Sequence, residues 1–205
     1  MLHSLLAAIL PRRALNPARL QRKLLSLEQK AASATGAERA KRYLHLARLA
    51  ADGHQRTHAL GYYGHAVDAH LVAGGFEAAA ALCREVIERY PTVVRARCTL
   101  AFLVLGTGRV AEATREIEGY VLAAQRAGRI DLAITRLRLM AKATDDVESR
   151  TALARLLRDL GDHAGYDEVY SALRAERTAP RAHREDQRTR WARMLRVDLT
   201  GPTRL

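Results

Sequence analysis

One spacing pattern constrains this chain more than any other: a glycine, an apolar residue two positions later, and a small residue five positions later. Gly74, Phe76 and Ala79 form one instance, and Gly108, Val110 and Ala113 form the next, 34 residues on. Gly128, Ile130 and Ala133 are a third. Gly161, His163 and Tyr166 are a weaker fourth, 33 residues beyond the third. The physics is that of a tight turn between helices. Glycine ends a helix in the left-handed conformation at no steric cost, and the small residue lets the next helix cross closely. The spacing from Gly108 to Gly128 is 20 residues rather than 34, so one helix between them is shared by two hairpins.

The stretches between these turns suit helices. Prolines occur only at Pro11, Pro17, Pro91, Pro180 and Pro202, and the segment from Glu38 to Val169 is rich in Ala, Leu, Arg and Glu, the best helix formers. No stretch alternates Val, Ile or Thr with polar residues as a half-buried strand would. Apolar residues make up 48% of the 205 positions, enough for a continuous core, and at 5% aromatic content Leu, Ala and Val must fill it. Asn16-Pro17 reads as a helix start, an N-cap followed by proline in the first turn, with Leu20, Leu24 and Leu27 at steps of four and three. A helix containing Glu38 to Ala51 is expected to start the stack, with Gly53 separating it from the next. Near the other end, Trp191, Met194 and Leu195 share one helix face, and Arg190, Arg193 and Arg196 the other. Stacked hairpins need covered ends, so both terminal segments are expected to be caps or docking helices.

The segment from about residue 60 to residue 93 resembles a tetratricopeptide repeat. Tyr63 stands where that family places its large first-helix aromatic, Gly74, Phe76 and Ala79 match its turn, and Pro91 ends the second helix where the family ends it. The following unit keeps Leu100, Ala101, Gly108, Ala113 and Ile117, and the likeness, which covers roughly residues 60–175, fades along the chain. It implies an all-α fold: a right-handed, TPR-like α-solenoid of antiparallel helical hairpins with basic helical flanks. The expected division is a basic amphipathic segment or cap over 1–35, a repeat domain over 36–176, and an Arg-rich helix or tail over 177–205. Members of this family receive an extended peptide or a partner helix in a groove lined by first helices. Here that groove would draw on Gly64, Asp68, Leu71 and Val72, then on Arg95, Cys98, Phe102 and Leu105. The basic clamp with which some relatives hold a C-terminal carboxylate is not reproduced, because Gly64 and Asp68 stand at two of its positions. A peptide or apolar helix of another protein is the expected guest.

The net charge of +12 is unevenly placed. Residues 1–52 carry ten Lys or Arg against three acids, residues 53–176 carry sixteen of each, and residues 177–205 carry eight Arg against three acids. The centre is neutral and the excess lies in the flanks, which disfavours a basic groove along the array. Arg12, Arg13, Arg19, Arg22 and Lys23 at one end, and Arg188, Arg190, Arg193 and Arg196 at the other, are candidates to touch nucleic acid, an acidic protein face or a membrane surface. Arg stems covering apolar surface would explain the same residues without a ligand.

The first ten residues contain Leu2, Leu5, Leu6 and Ile9 on one helical stripe, bounded by Pro11. A secretory signal would place its cations before the apolar stretch; here they follow it, so the segment reads as retained in a cytoplasmic protein, with a membrane-peripheral place as the alternative. No apolar run approaches the ~20 residues of a membrane-crossing helix. Together with Trp191, this stripe is a candidate docking segment, to be covered by the array itself, a partner or a membrane surface.

One constellation could carry chemistry. If a helix runs unbroken from His54, then His54, His58, His65 and Asp68 fall within about 80° of one another. His54 and His58 have the four-residue spacing of a metal-binding helix pair. However, His65 lies roughly 10 Å further along the axis, and no Glu follows His54 to complete the metalloprotease pattern. A solvated polar face is the simpler reading, and His70, among apolar positions, reads as a packed side chain. Cys83 and Cys98 lack metal-ligand spacing and read as small buried hydrophobes. Phosphate-binding and nucleophile-elbow motifs are missing. The sequence therefore points to a non-enzymatic scaffold or adaptor that needs no cofactor, with a nucleic-acid-binding protein as the main alternative and a metal-dependent enzyme on His54 and His58 as a third.

Overall fold

The structure, a computed structural model, describes residues 16–178. Among these residues nine helices follow one another and no strand occurs: α1 (Pro17–Ala32), α2 (Gly36–Asp52), α3 (Arg56–Val72), α4 (Phe76–Arg89), α5 (Val94–Gly106), α6 (Val110–Arg126), α7 (Ile130–Ala143), α8 (Val147–Asp159) and α9 (His163–Thr178). Three starts are written in side chains. Asn16 accepts a hydrogen bond from the Ala18 N–H at 3.0 Å with Pro17 in the first turn, Asp146 accepts one from the Ser149 N–H at 2.6 Å, and Asp162 one from the Gly165 N–H at 3.1 Å.

The turns follow the expected pattern. Gly74, Gly108, Gly128 and Gly161 are all left-handed, with φ between 66° and 86°, and α4, α6, α7 and α9 each begin two residues later. Ala79, Ala113 and Ala133, five residues past their glycines, are buried where helices cross. Three of these turns close with the same backbone bond, from the N–H after the glycine to the carbonyl five residues before it: Gly75 to His70, Arg129 to Ala124 and Asp162 to Leu157, at 2.7–2.8 Å. α6 lies between Gly108 and Gly128 and serves both hairpins, as the 20-residue spacing implies.

A fifth instance carries a histidine in place of the glycine. His54 has φ 57°, Gln55 N–H bonds to the Ala50 carbonyl at 2.8 Å, α3 starts at Arg56, and Ala59 is fully buried. A Cβ at Gly108 would meet nothing within 4 Å, so its cost is purely conformational. Gly108→Ala is expected to destabilise the chain by about 1–2 kcal/mol, and His54→Gly to be neutral or stabilising. Chemical denaturation of both variants checks this; equal losses would contradict the shared turn.

Each helix packs on its neighbours in the chain, most extensively α2 on α3, and α5 also meets α7 as α6 meets α8. Arg48–Glu85 and Arg89–Asp52 bridge α2 to α4, Arg84–Glu112 bridges α4 to α6, and Lys142–Glu168 bridges α7 to α9. Such partly exposed pairs add little stability each, but they hold alternate helices in register. α3 and α5 run through the middle of the core: Thr99 to Leu105 are buried without interruption. The stack also begins one helix earlier than the sequence suggests. Leu20, Leu24 and Ala31 of α1 join the common core, because α2 alone would leave its apolar side bare. Position 35/36 is thus a turn inside one packed unit.

Candidate functional site

Among the described residues, α3 keeps one face exposed or half-buried. Leu60, Tyr63, Val67 and Leu71 are buried as their spacing requires, along with Ala59, Tyr62, Gly64, Ala66 and Ala69. His58, Gly61, His65, Asp68 and Val72 remain exposed or half-exposed at steps of three, four, three and four. This alternation of three and four keeps them on one face of the helix. Val72 is 88% exposed, unusual for an apolar residue. The His65 ring lies 4.9 Å from that of Tyr43 of α2, which anchors it on this face. His70 is half-buried beside Gly75, and burial lowers its pKa, consistent with a packed neutral ring.

The metal reading of His54 and His58 loses its premise. His54 is in the turn, in left-handed backbone, and α3 begins two residues after it, so the two histidines are not one helical turn apart on a common face. Among the described residues no group of three or more His, Cys, Asp or Glu is placed to hold a metal ion. Cys83 of α4 and Cys98 of α5 are free thiols; burial pushes them up to about 12 and about 11, so both stay protonated at neutral pH.

The groove expected from the family likeness is divided by the structure. Leu71, Phe102 and Leu105 are 5%, 5% and 2% exposed and belong to the core, because α5 is enclosed by α4, α6 and α7 instead of lining an open wall. Asp68, Arg95 and Cys98 are half-buried, and Val72 alone stands well out. The accessible part of that surface is therefore α3, and Gly61 and His65 belong to it where Leu71, Phe102 and Leu105 do not. Nothing in the sequence distinguished these cases, since an apolar run suits a groove wall and a core equally.

A second surface lies on α1. Arg19, Arg22 and Lys23 are all exposed, and so is Lys30, which the sequence reading left out; its place seven residues after Lys23 was the available signal. The other cations and apolar residues named as candidates (Arg12, Arg13, Arg188, Arg190, Arg193, Arg196, Leu2, Leu5, Leu6, Ile9 and Trp191) lie outside the described residues. Among the described residues no helix is long and apolar enough to cross a membrane. No protein-family model matches the chain, and neither a curated protein nor a solved structure matches it.

Proposed function

We propose that this chain is a cytoplasmic, non-enzymatic scaffold or adaptor, a right-handed TPR-like solenoid that binds another protein through the outer face of α3. The observation that carries the reading is the stripe His58, Gly61, His65, Asp68 and Val72, exposed at His58, His65 and Val72 and half-buried between them, on a helix whose other sides are packed. Its spacing suits an apolar helix of the partner, with Val72 as an exposed contact and Gly61 allowing close backbone approach. The repeated turns, including the one built on His54, support the solenoid. Affinity purification from the native cell at low and high salt tests it. A stoichiometric protein that survives high salt is expected; nucleic acid that is lost at high salt would instead favour a nucleic-acid-binding protein.

A further inference from the structure

The cations of α1 form a single face. At 3.6 residues per turn, Arg19, Arg22, Lys23, Ser26 and Lys30 fall within an arc of about 100°, opposite the side that buries Leu20, Leu24 and Ala31. The stripe is about 16 Å long at 1.5 Å per residue. All five residues are exposed, and among the described residues none of the four cations forms an ion pair, although Arg48, Arg84, Arg89, Arg109, Arg138 and Arg150 elsewhere all do. Glu28, the one acid of α1, is turned away and accepts a hydrogen bond from the Tyr62 hydroxyl at 3.2 Å. By count residues 53–176 are neutral, with sixteen charges of each sign, whereas α1 carries four cations and one acid.

The sequence on the N-terminal side of α1 indicates what this face meets. Residues 1–27 contain Arg12, Arg13, Arg19, Arg22 and Lys23 and no acid, preceded by the apolar Leu2, Leu5, Leu6, Ile9 and Leu10. Leu25, at the margin of the cationic face, is 57% exposed. Nucleic acid would use the cations and have no use for the apolar residues, and no Phe, Tyr or Trp occurs before Tyr43 to stack on a base. An anionic bilayer surface uses both: apolar side chains enter the interface while Lys and Arg stay among the headgroups.

We propose that the exposed cationic face of α1 docks the chain peripherally on an anionic lipid surface. This site is separate from the α3 face, so either reading can fail without the other. The test is co-sedimentation of the full chain with phosphatidylcholine vesicles and with phosphatidylcholine–phosphatidylserine vesicles. Binding is expected only to the mixed vesicles, weakening as salt rises. Replacing Arg19, Arg22, Lys23 and Lys30 together by Gln should lower the bound fraction at least tenfold, since each such cation near the surface contributes severalfold, with no loss of thermal stability because none is packed. Equal binding to neutral vesicles, undiminished binding of the Gln variant, or binding to RNA or polyglutamate in preference to the mixed vesicles would overturn the proposal.

Discussion

Phe102→Ala is expected to destabilise the chain by about 3–5 kcal/mol, the cost of removing a large side chain from a packed interior. Phe102 is 5% exposed, in the unbroken buried run of α5, with Leu103, Val104 and Leu105 beside it at 2% or less. As the wall of an open groove it would cost within about 0.5 kcal/mol on removal, as surface positions do. The two placements differ by a factor that urea denaturation resolves easily. A loss under about 1 kcal/mol would put α5 back on the surface and reopen the groove that the family likeness implies.

Glu85→Ala is expected to cost about 1–3 kcal/mol, because it strands a buried donor. Glu85 of α4 takes Arg48 Nε at 3.0 Å and Arg48 Nη2 at 2.8 Å from α2, and the Tyr63 hydroxyl at 2.6 Å from α3. Tyr63 is fully buried, and burial raises its phenol above its ordinary value, so it stays protonated and keeps donating. The loss therefore lies in the Tyr63 contact more than in the half-exposed Arg48 pair. Tyr63→Phe, which removes donor and need together, should cost less than Glu85→Ala. The same carboxylate gives a pH signature. Hydrogen bonds from Arg48 hold it below its ordinary value of 4.5. Its contribution is thus complete above that value and disappears as pH falls through the lower folded value. Melting temperatures of wild type and Glu85→Gln should converge on acidification below about pH 4.5. A constant gap would mean that the carboxylate charge plays no part.

Much of the fold could be read from residues whose signal is local. A glycine that must be left-handed announces a turn by itself, and Gly74, Gly108, Gly128 and Gly161 did so. Asn16-Pro17 marked the start of α1 for the same reason. Gly53 marked the break after α2, but histidine carries no local signal for the left-handed conformation, so His54 was read as the first residue of the next helix when it lies in the turn. Glu85 was illegible because its partners lie 22 and 37 residues away in sequence. The face of α3 was half legible: periodicity placed His58, His65 and Asp68 together, while only the packing of α5 showed that Phe102 and Leu105 are buried and lie outside the accessible surface. On α1 the cations were visible, and their freedom from ion pairs was not.

The most direct test of the protein-binding reading compares native-cell purifications of the wild type and of His58→Glu with Val72→Glu. Both positions are exposed on α3, so the double variant should match the wild type in helical content and melting temperature. The account predicts one stoichiometric protein partner, retained at high salt by the wild type and lost by the variant. Retention of the same partner by a variant that is folded would contradict it, as would a wild type that captures no protein at all.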